Sequence, residues 1–200
     1  MKEIVLASSN PGKVREINQL LATLELHVQP QSEFGVVDAE ETGLTFVENA
    51  ILKARNAALH TGLPAIADDS GIEVDALNGA PGIYSARFAG DNASDQANLE
   101  KLLAELEGLP DAQRCARFQC LMVFMEHAND PTPVICQGTW EGRILTAARG
   151  DNGFGYDPVF YVPTHDCSSA ELPAEVKNAL SHRGQALRQL VTALQHFRER

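Results

Sequence analysis

A short apolar run, Ala65-Ile66-Ala67, passes directly into two adjacent carboxylates, Asp68-Asp69, and then into Ser70-Gly71. A run of this length reads as a buried strand. The carboxylates then stand at its carboxyl end, where α/β folds usually bind ligands. Paired carboxylates in that place suit a hard divalent cation such as Mg²⁺, which prefers oxygen ligands. The plainer reading is a polar turn, with Ser70 and Gly71 reversing the chain, since Asp, Ser and Gly are ordinary turn residues. Two other features favour the first reading: a second acidic set upstream and a phosphate-type loop near the N-terminus.

The 200 residues, 44% of them hydrophobic, suffice for one large domain with a real core. Sixteen basic against 27 acidic residues leave a net charge of -11. That balance argues against a nucleic-acid polymer, which would want a basic face, and against an anionic membrane surface. A small anionic substrate remains compatible if a cation and a few local lysines or arginines offset the field. The four cysteines, Cys115, Cys120, Cys136 and Cys167, lack the spacing of a zinc or redox motif. They read as small hydrophobes in a reducing compartment. The chain enters a strand at once, through Ile4-Val5-Leu6, which predicts no signal peptide, and no apolar run reaches membrane-spanning length. Together these point to a cytoplasmic protein.

Ile4 to Ala7 followed by Ser8-Ser9-Asn10-Pro11-Gly12 reads as strand and turn, and Val14, Ile17, Leu20, Leu21 and Leu24 then recur at helical spacing. A second helix is expected from Thr45, with Glu48 placed to complete a capping box and Gly62 and Pro64 to end it. Ile72, Val74 and Ala76 alternate like a further strand, and Ser94 could cap a helix running to Leu106. Arg114 to Met125 and Val134 to Ala147 read as the two strands of a hairpin, and the last helix starts near Ser181. Alternating helices and strands followed by a hairpin predict an α/β fold with a mixed sheet, in a single domain over 1–200.

Four segments could carry chemistry. Ser8-Ser9-Asn10-Pro11-Gly12-Lys13 places a polar turn and a lysine at a helix start, a cradle in which backbone N–H groups, the Asn10 amide and the Lys13 charge could hold phosphate. Val14 follows Lys13, so this is not a Walker A loop. Asp38, Glu40 and Glu41 crowd negative charge and need solvent or a cation. They precede the Thr45 helix as Asp68 and Asp69 follow it, so the two acidic sets could converge on one metal. In Gly153-Phe154-Gly155-Tyr156-Asp157-Pro158, the glycines permit tight geometry and Phe154 could stack on a flat heterocycle, with Asp157 or backbone groups reading its edge. The plain alternative is an aromatic plug of the core. His182 and Arg183 lie at the start of a helix, where the dipole disfavours cations; an anionic or carbonyl-bearing ligand would explain them, and the plain alternative is that Ser181 caps the helix while both point to water. The remaining histidines, His27, His60, His127, His165 and His196, show no metal spacing and read as surface residues.

In this order the pieces resemble the inosine/xanthosine triphosphate pyrophosphatase family. The match spans nearly the whole chain and includes Glu40-Glu41-Thr42-Gly43, Glu48-Asn49-Ala50 with Lys53-Ala54, Gly79 to Arg87 and Ser181-His182-Arg183-Gly184, besides the segments above. The resemblance implies an elongated mixed sheet flanked by helices, with two lobes and a nucleotide-binding cleft. It also implies a Mg²⁺-dependent homodimer that hydrolyses ITP, dITP and XTP to the monophosphate and pyrophosphate. By matching position, Ser8, Ser9, Asn10, Pro11, Gly12 and Lys13 would hold the triphosphate. Glu40 and Asp69 would bind the metal, with Glu41 and Asp68 as further candidates and Asp69 also the general base. Lys13 and Lys53 would stabilise the reacting phosphates, and Ser70, Phe154, Gly155, Tyr156, Asp157, Lys177, His182 and Arg183 would contact the nucleotide. Family members often carry Gly or Asn at position 9, and Ser9 would fit less well if that position needs a positive φ.

Donors at His182 and Arg183 would favour the C6 keto group of hypoxanthine or xanthine over the amino group of adenine. Two rivals are a pyrophosphatase for modified pyrimidine nucleotides and a nucleotide sensor without turnover. The abundance of candidate ligands disfavours the sensor. A phosphatase with an Asp nucleophile would want its two aspartates separated by one residue.

Overall fold

The computed structural model describes residues 3–21 and 27–198, so Leu24 lies outside the described residues, as do the side chains of Leu20 and His196. Among the described residues, seven strands and five helices follow one another, alternating up to α3: β1 (Glu3–Leu6), α1 (Pro11–Leu21), β2 (His27–Pro30), α2 (Phe46–Thr61), β3 (Ala65–Val74), α3 (Asp95–Glu105), β4 (Cys115–Met125), β5 (Val134–Ile144), β6 (Phe160–Val162), β7 (Cys167–Ser168), α4 (Ala174–Leu180) and α5 (His182–Arg198). They form one mixed sheet in the order β2-β1-β3-β4-β5-β6-β7. β1 runs parallel to β2 and β3, while β6 is antiparallel to both β5 and β7. This is the α/β class that the helix and strand alternation predicts. No described helix is long and apolar enough to cross a membrane.

By its contacts the chain divides into two compact units, one of Met1–Asp69, Cys120–Gly138 and Arg183–Arg200, the other of Ser70–Gln119 and Thr139–His182. In the first unit the two-residue period of the strands sorts every side chain. Ile4, Leu6 and Ile66 join Ile17 and Leu21 of α1 and Leu187, Leu190 and Leu194 of α5 in one buried cluster. Val5, Ala7, Ala65 and Ala67, the intervening residues, join Ala50, Ala54, Ala57 and Ala58 of α2 in another. Both faces are covered, which is why these strands read as continuous apolar runs. α2 starts as its sequence predicts: Thr45 accepts from the Glu48 N–H at 3.3 Å, and Glu48 accepts from the Leu44 N–H at 2.9 Å. Gly62 ends the helix in the left-handed region.

β3 corrects the turn reading. It is one ten-residue strand, so Ser70 and Gly71 extend the chain instead of reversing it, and Ile72 and Val74 belong to the same strand as Ala65. Asp68 and Asp69 are 1% and 6% exposed. Turn propensity gives way because both carboxylates have cationic partners, described below. Ala76 falls in a short 3-10 turn after the strand.

The second unit packs Ile72 and Val74 with Leu99 and Leu102 of α3 and an aromatic group around Phe118, Trp140 and Phe160. The Phe118 and Phe160 rings lie 4.6 Å apart, and those of Trp140 and Phe160 5.1 Å apart. The hairpin register shows in its cross-strand pairs, Arg117 with Glu141 and Gln119 with Thr139. β2, β6, β7 and α4 go beyond the elements the sequence predicts, because each is too short to show a period.

Arg114 is a buried charge of this unit, 2% exposed. Its guanidinium donates to the carbonyls of Ile144 at 2.7 Å, Leu106 at 2.6 Å and Leu145 at 2.7 Å, tying the end of α3 to the end of β5. Replacing it with Met fills the volume but strands these carbonyls. Arg114→Met is expected to lose about 3 kcal/mol of stability in urea unfolding, the scale for leaving buried acceptors without donors. An unchanged midpoint would show that the bonds contribute nothing net.

Candidate active site

Because successive strand residues point to opposite faces, Asp68 continues the Ile4, Leu6, Ile66 face and Asp69 the Val5, Ala65, Ala67 face. The structure therefore gives the two adjacent carboxylates different surroundings. Asp68 Oδ1 lies 3.0 Å from the Lys13 ammonium, and Oδ2 accepts from Arg183 Nε at 3.3 Å and Nη2 at 3.2 Å. The Cys120 thiol is 3.8 Å from the same oxygen. Burial alone would raise the Asp68 pKa, but the charges of Lys13, Arg183 and Lys53 outweigh it and hold the carboxyl well below the usual range. The cation at the start of α5, which suggested an external anion, thus has an internal one.

Asp69 Oδ1 accepts from Lys53 Nζ at 2.8 Å, and the same ammonium is 3.0 Å from Glu41 Oε1. Burial pushes the Asp69 carboxyl above its ordinary pKa despite the Lys53 charge, and Glu41 adds to the rise. Burial opposes the Lys53 charge as well, but Asp69, Asp68 and Glu41 together raise its pKa. Asp69 Oδ2 is buried without a hydrogen-bond partner among the described residues. One acidic residue from the upstream set is therefore brought to Asp69: Glu41, half-buried, while Glu40 is exposed.

No group of three or more His, Cys, Asp or Glu side chains gathers among the described residues. That still fits Mg²⁺, which is usually bound by one or two carboxylates and completes its shell with water and substrate phosphates. The orphaned Asp69 Oδ2 and the neighbouring Glu41 supply the hard oxygens such an ion takes.

The phosphate-type loop precedes α1 as expected, but its donors are engaged. Asn10 Oδ1 caps the helix, accepting from the N–H groups of Gly12 at 2.9 Å and Lys13 at 3.1 Å, and Ser8 Oγ accepts from the Asn10 N–H at 3.2 Å. Pro11 has no N–H to offer. What this loop can give a phosphate is therefore chiefly side-chain chemistry: the Lys13 charge, the Asn10 NH₂ and the Ser8 hydroxyl. Among the described residues a positive φ outside glycine occurs at Asn78, Asn92 and Asp166, so Ser9 needs no glycine geometry. Its hydroxyl instead donates to Asp38 at 2.8 Å, and Gln31 donates to the same carboxylate oxygen. Asp38 anchors the loop, a role the sequence does not signal.

The acidic segment is docked on α2 by close approach. Asn49 is fully buried, and its Oδ1 accepts from the Gly43 N–H at 2.8 Å. A Cβ on Gly43 would meet Glu48 Cβ at 2.6 Å and Asn49 Oδ1 at 2.7 Å.

In the second unit the aromatic loop is held from several sides. Asp157, 3% exposed, accepts from the Phe154 N–H at 2.9 Å, Ser169 at 2.8 Å and the Lys177 ammonium at 2.7 Å. Gly153 has a φ of +82°, and a Cβ there would lie 2.1 Å from Asp157 Oδ2. Gly155 N–H donates to Asp95 at 2.8 Å, and the Tyr156 hydroxyl to the Ser85 carbonyl at 2.7 Å. The Lys177 ammonium lies 5.1 Å from the Phe154 ring centre. His182 stacks on Phe118, with centroids 4.7 Å apart and planes at 10°. So Tyr156 and Asp157 organise the loop from within, whereas Phe154 is half-buried; Ser70 is half-buried on β3. Asp95, Ser85 and Ser169 carry no sequence signal of these roles. His27, His60, His127 and His165 are exposed, as expected, and the four cysteines are free.

A mixed α/β sheet whose third strand carries two buried carboxylates, each with a lysine against it, defines a structural class. Within that class this chain belongs to the Ham1 family, whose model matches residues 4–193. It is 65% identical over 194 residues to a protein of Vibrio vulnificus named dITP/XTP pyrophosphatase, covering 97% of each chain. A protein of the same name from Vibrio cholerae is 61% identical over 198 residues, 99% of each. Among solved structures, a HAM1 protein from Coxiella burnetii superposes with a TM-score of 0.92 at 57% identity, over 98% of this chain and 100% of that one.

Gly43→Ala is expected to lift the Glu40-Glu41 segment from α2, because Glu48 Cβ belongs to a rigid helix and cannot yield. The cost in urea unfolding should be about 1–3 kcal/mol, the range for forced overpacking. A variant as stable as the parent would refute the close docking.

Proposed function

We propose that this chain hydrolyses dITP, ITP and XTP to the nucleoside monophosphate and pyrophosphate, with Mg²⁺ as cofactor. The observation that carries the reading is the pair of buried carboxylates on β3 with Lys13 and Lys53 against them. The naming of the Vibrio relatives supports dITP and XTP among these substrates. Asp69, with Glu41 or Glu40 beside it, would hold Mg²⁺, which when bound neutralises phosphate charge as the bond to the leaving pyrophosphate breaks.

The residues of the chain then have distinct roles. Asp69 orients a water for in-line attack on the α-phosphorus and accepts its proton. The new P–O bond forms as the bond between the α-phosphorus and the bridging oxygen breaks, and its electrons leave with pyrophosphate. Lys13 and Lys53 stabilise the equatorial and leaving oxygens. Ser8, Ser9, Asn10, Pro11 and Gly12 frame the triphosphate, and Ser70 contacts the nucleotide beside Asp69. Phe154 stacks on the base, with Gly155, Tyr156, Asp157 and Lys177 fixing its orientation. His182 and Arg183 donate to the C6 keto group and so disfavour adenine. A homodimer, which rests on the family resemblance, acting in the cytoplasm, which rests on the sequence reading, completes this proposal.

The test is a product assay on dITP, XTP, dGTP and dATP, with and without Mg²⁺. Pyrophosphate should appear from dITP and XTP in the presence of the cation, and Asp69→Asn should lower kcat by about 10³-fold, of the order seen when a group acting only in the transition state is removed. Release of orthophosphate, or an Asp69→Asn variant within a few-fold of the parent, would overturn the assignment.

A further inference from the structure

We infer that Asp68 is a positioning residue that couples triphosphate recognition to base recognition, through one buried carboxylate shared by Lys13 and Arg183. The inference rests on the proposed roles of those two cations and goes beyond them. Lys13 comes from the start of α1 and Arg183 from the start of α5. They are 170 residues apart in sequence by their numbers, yet both bind Asp68, whose side chain is fully buried. Each carboxylate oxygen serves one cation. Oδ1 faces the Lys13 ammonium at 3.0 Å, and Oδ2 receives Arg183 Nη2 at 3.2 Å. The Lys13 and Arg183 side chains are 16% and 4% exposed, so neither cation is oriented by bulk water. Lys53, on the Asp69 face, makes its own close contacts with Asp69 and Glu41.

The physical consequence is specific. A carboxylate in a fully buried position is tolerated because its cations are fixed against it. Moving either cation changes the field on Asp68 and so the hold on the other. Lys13 set for a phosphate and Arg183 set for a base are then not independent. Losing Asp68 should loosen both at once, although Asp68 is assigned no contact with the substrate. A residue needed only for folding would not alter the preference between two bases.

The experiment measures kcat/KM for dITP and dATP in Asp68→Asn, Lys13→Met and Arg183→Met, with the combined variants. Asp68→Asn is expected to raise KM for dITP about tenfold and to lower the dITP-to-dATP preference about tenfold, each the loss of roughly one charge-assisted contact. Lys13→Met should raise KM and lower kcat for dITP and also shift the base preference about threefold, and Arg183→Met should lose most of the base preference and also raise KM for dITP about threefold, because each variant loosens the anchor that the other cation shares. In the Lys13→Met/Arg183→Met background, adding Asp68→Asn should change both quantities less than about twofold, since its partners are already gone. The cross-effects in Lys13→Met and Arg183→Met, each of which leaves Asp68 one of these two cations, carry the test even if Asp68→Asn or the double variant does not fold, and their absence would overturn the coupling. If Arg183→Met leaves the base preference intact, the base-reading assignment fails. If Arg183→Met alters it but Asp68→Asn does not, or if Asp68→Asn remains costly in the double-variant background, the coupling is wrong.

Discussion

The structure turns on the alternation of side chains along β3. A strand covered on both faces cannot send two successive carboxylates to the same side. Asp68 enters the α1 and α5 face and Asp69 the α2 face, and both are nearly removed from water. The effective penalty for an uncompensated buried charge is several kcal/mol. Each face therefore needs a cation on an adjacent element. α1 supplies Lys13, α5 supplies Arg183 and α2 supplies Lys53. The positions of these helix residues follow from the charges on one strand.

The faces also differ chemically. Asp68 is held well below the ordinary carboxylate range by several cations, whereas Asp69 stands above it because burial outweighs Lys53. Adjacent residues of one type are thereby separated into an anchor and a candidate base. The second unit follows a similar rule at lower charge. Asp157 is the point on which the Phe154 amide, Ser169 and Lys177 converge, and it fixes a loop whose exposed work falls to Phe154.

Much of this is legible in the residues. The Thr45 cap, the Ser94 cap, the hairpin and the start of the last helix appear where local chemistry places them, because caps and hydrophobic periods act within a few residues. The apolar run before Asp68 announces a buried strand, and Lys13 announces a cation beside it. What local pattern cannot show is that the strand continues through Asp68-Asp69-Ser70-Gly71. Those residues favour a turn on their own, and only partners distant in sequence, Arg183 above all, make extension the better state. Likewise, Asn10 reads as a phosphate donor in the sequence, yet its carbonyl oxygen caps α1, and Asp38, one of the acidic set, anchors Ser9. The positioning residues Asn49, Ser85 and Asp95 act by contact, and contact leaves no period in the sequence.

The proposed chemistry depends on a division between neighbours: Asp69 meets the cation and the reacting water, and Asp68 meets only the protein's own charges. The most direct measurement is an anomalous-scattering map of crystals grown with Mn²⁺ and a non-hydrolysable dITP analogue. A peak is predicted within coordination distance of an Asp69 oxygen, with Asp68 still bonded to Lys13 and Arg183. A peak coordinated by Asp68, or no peak at Asp69 while the analogue is bound, would contradict that division.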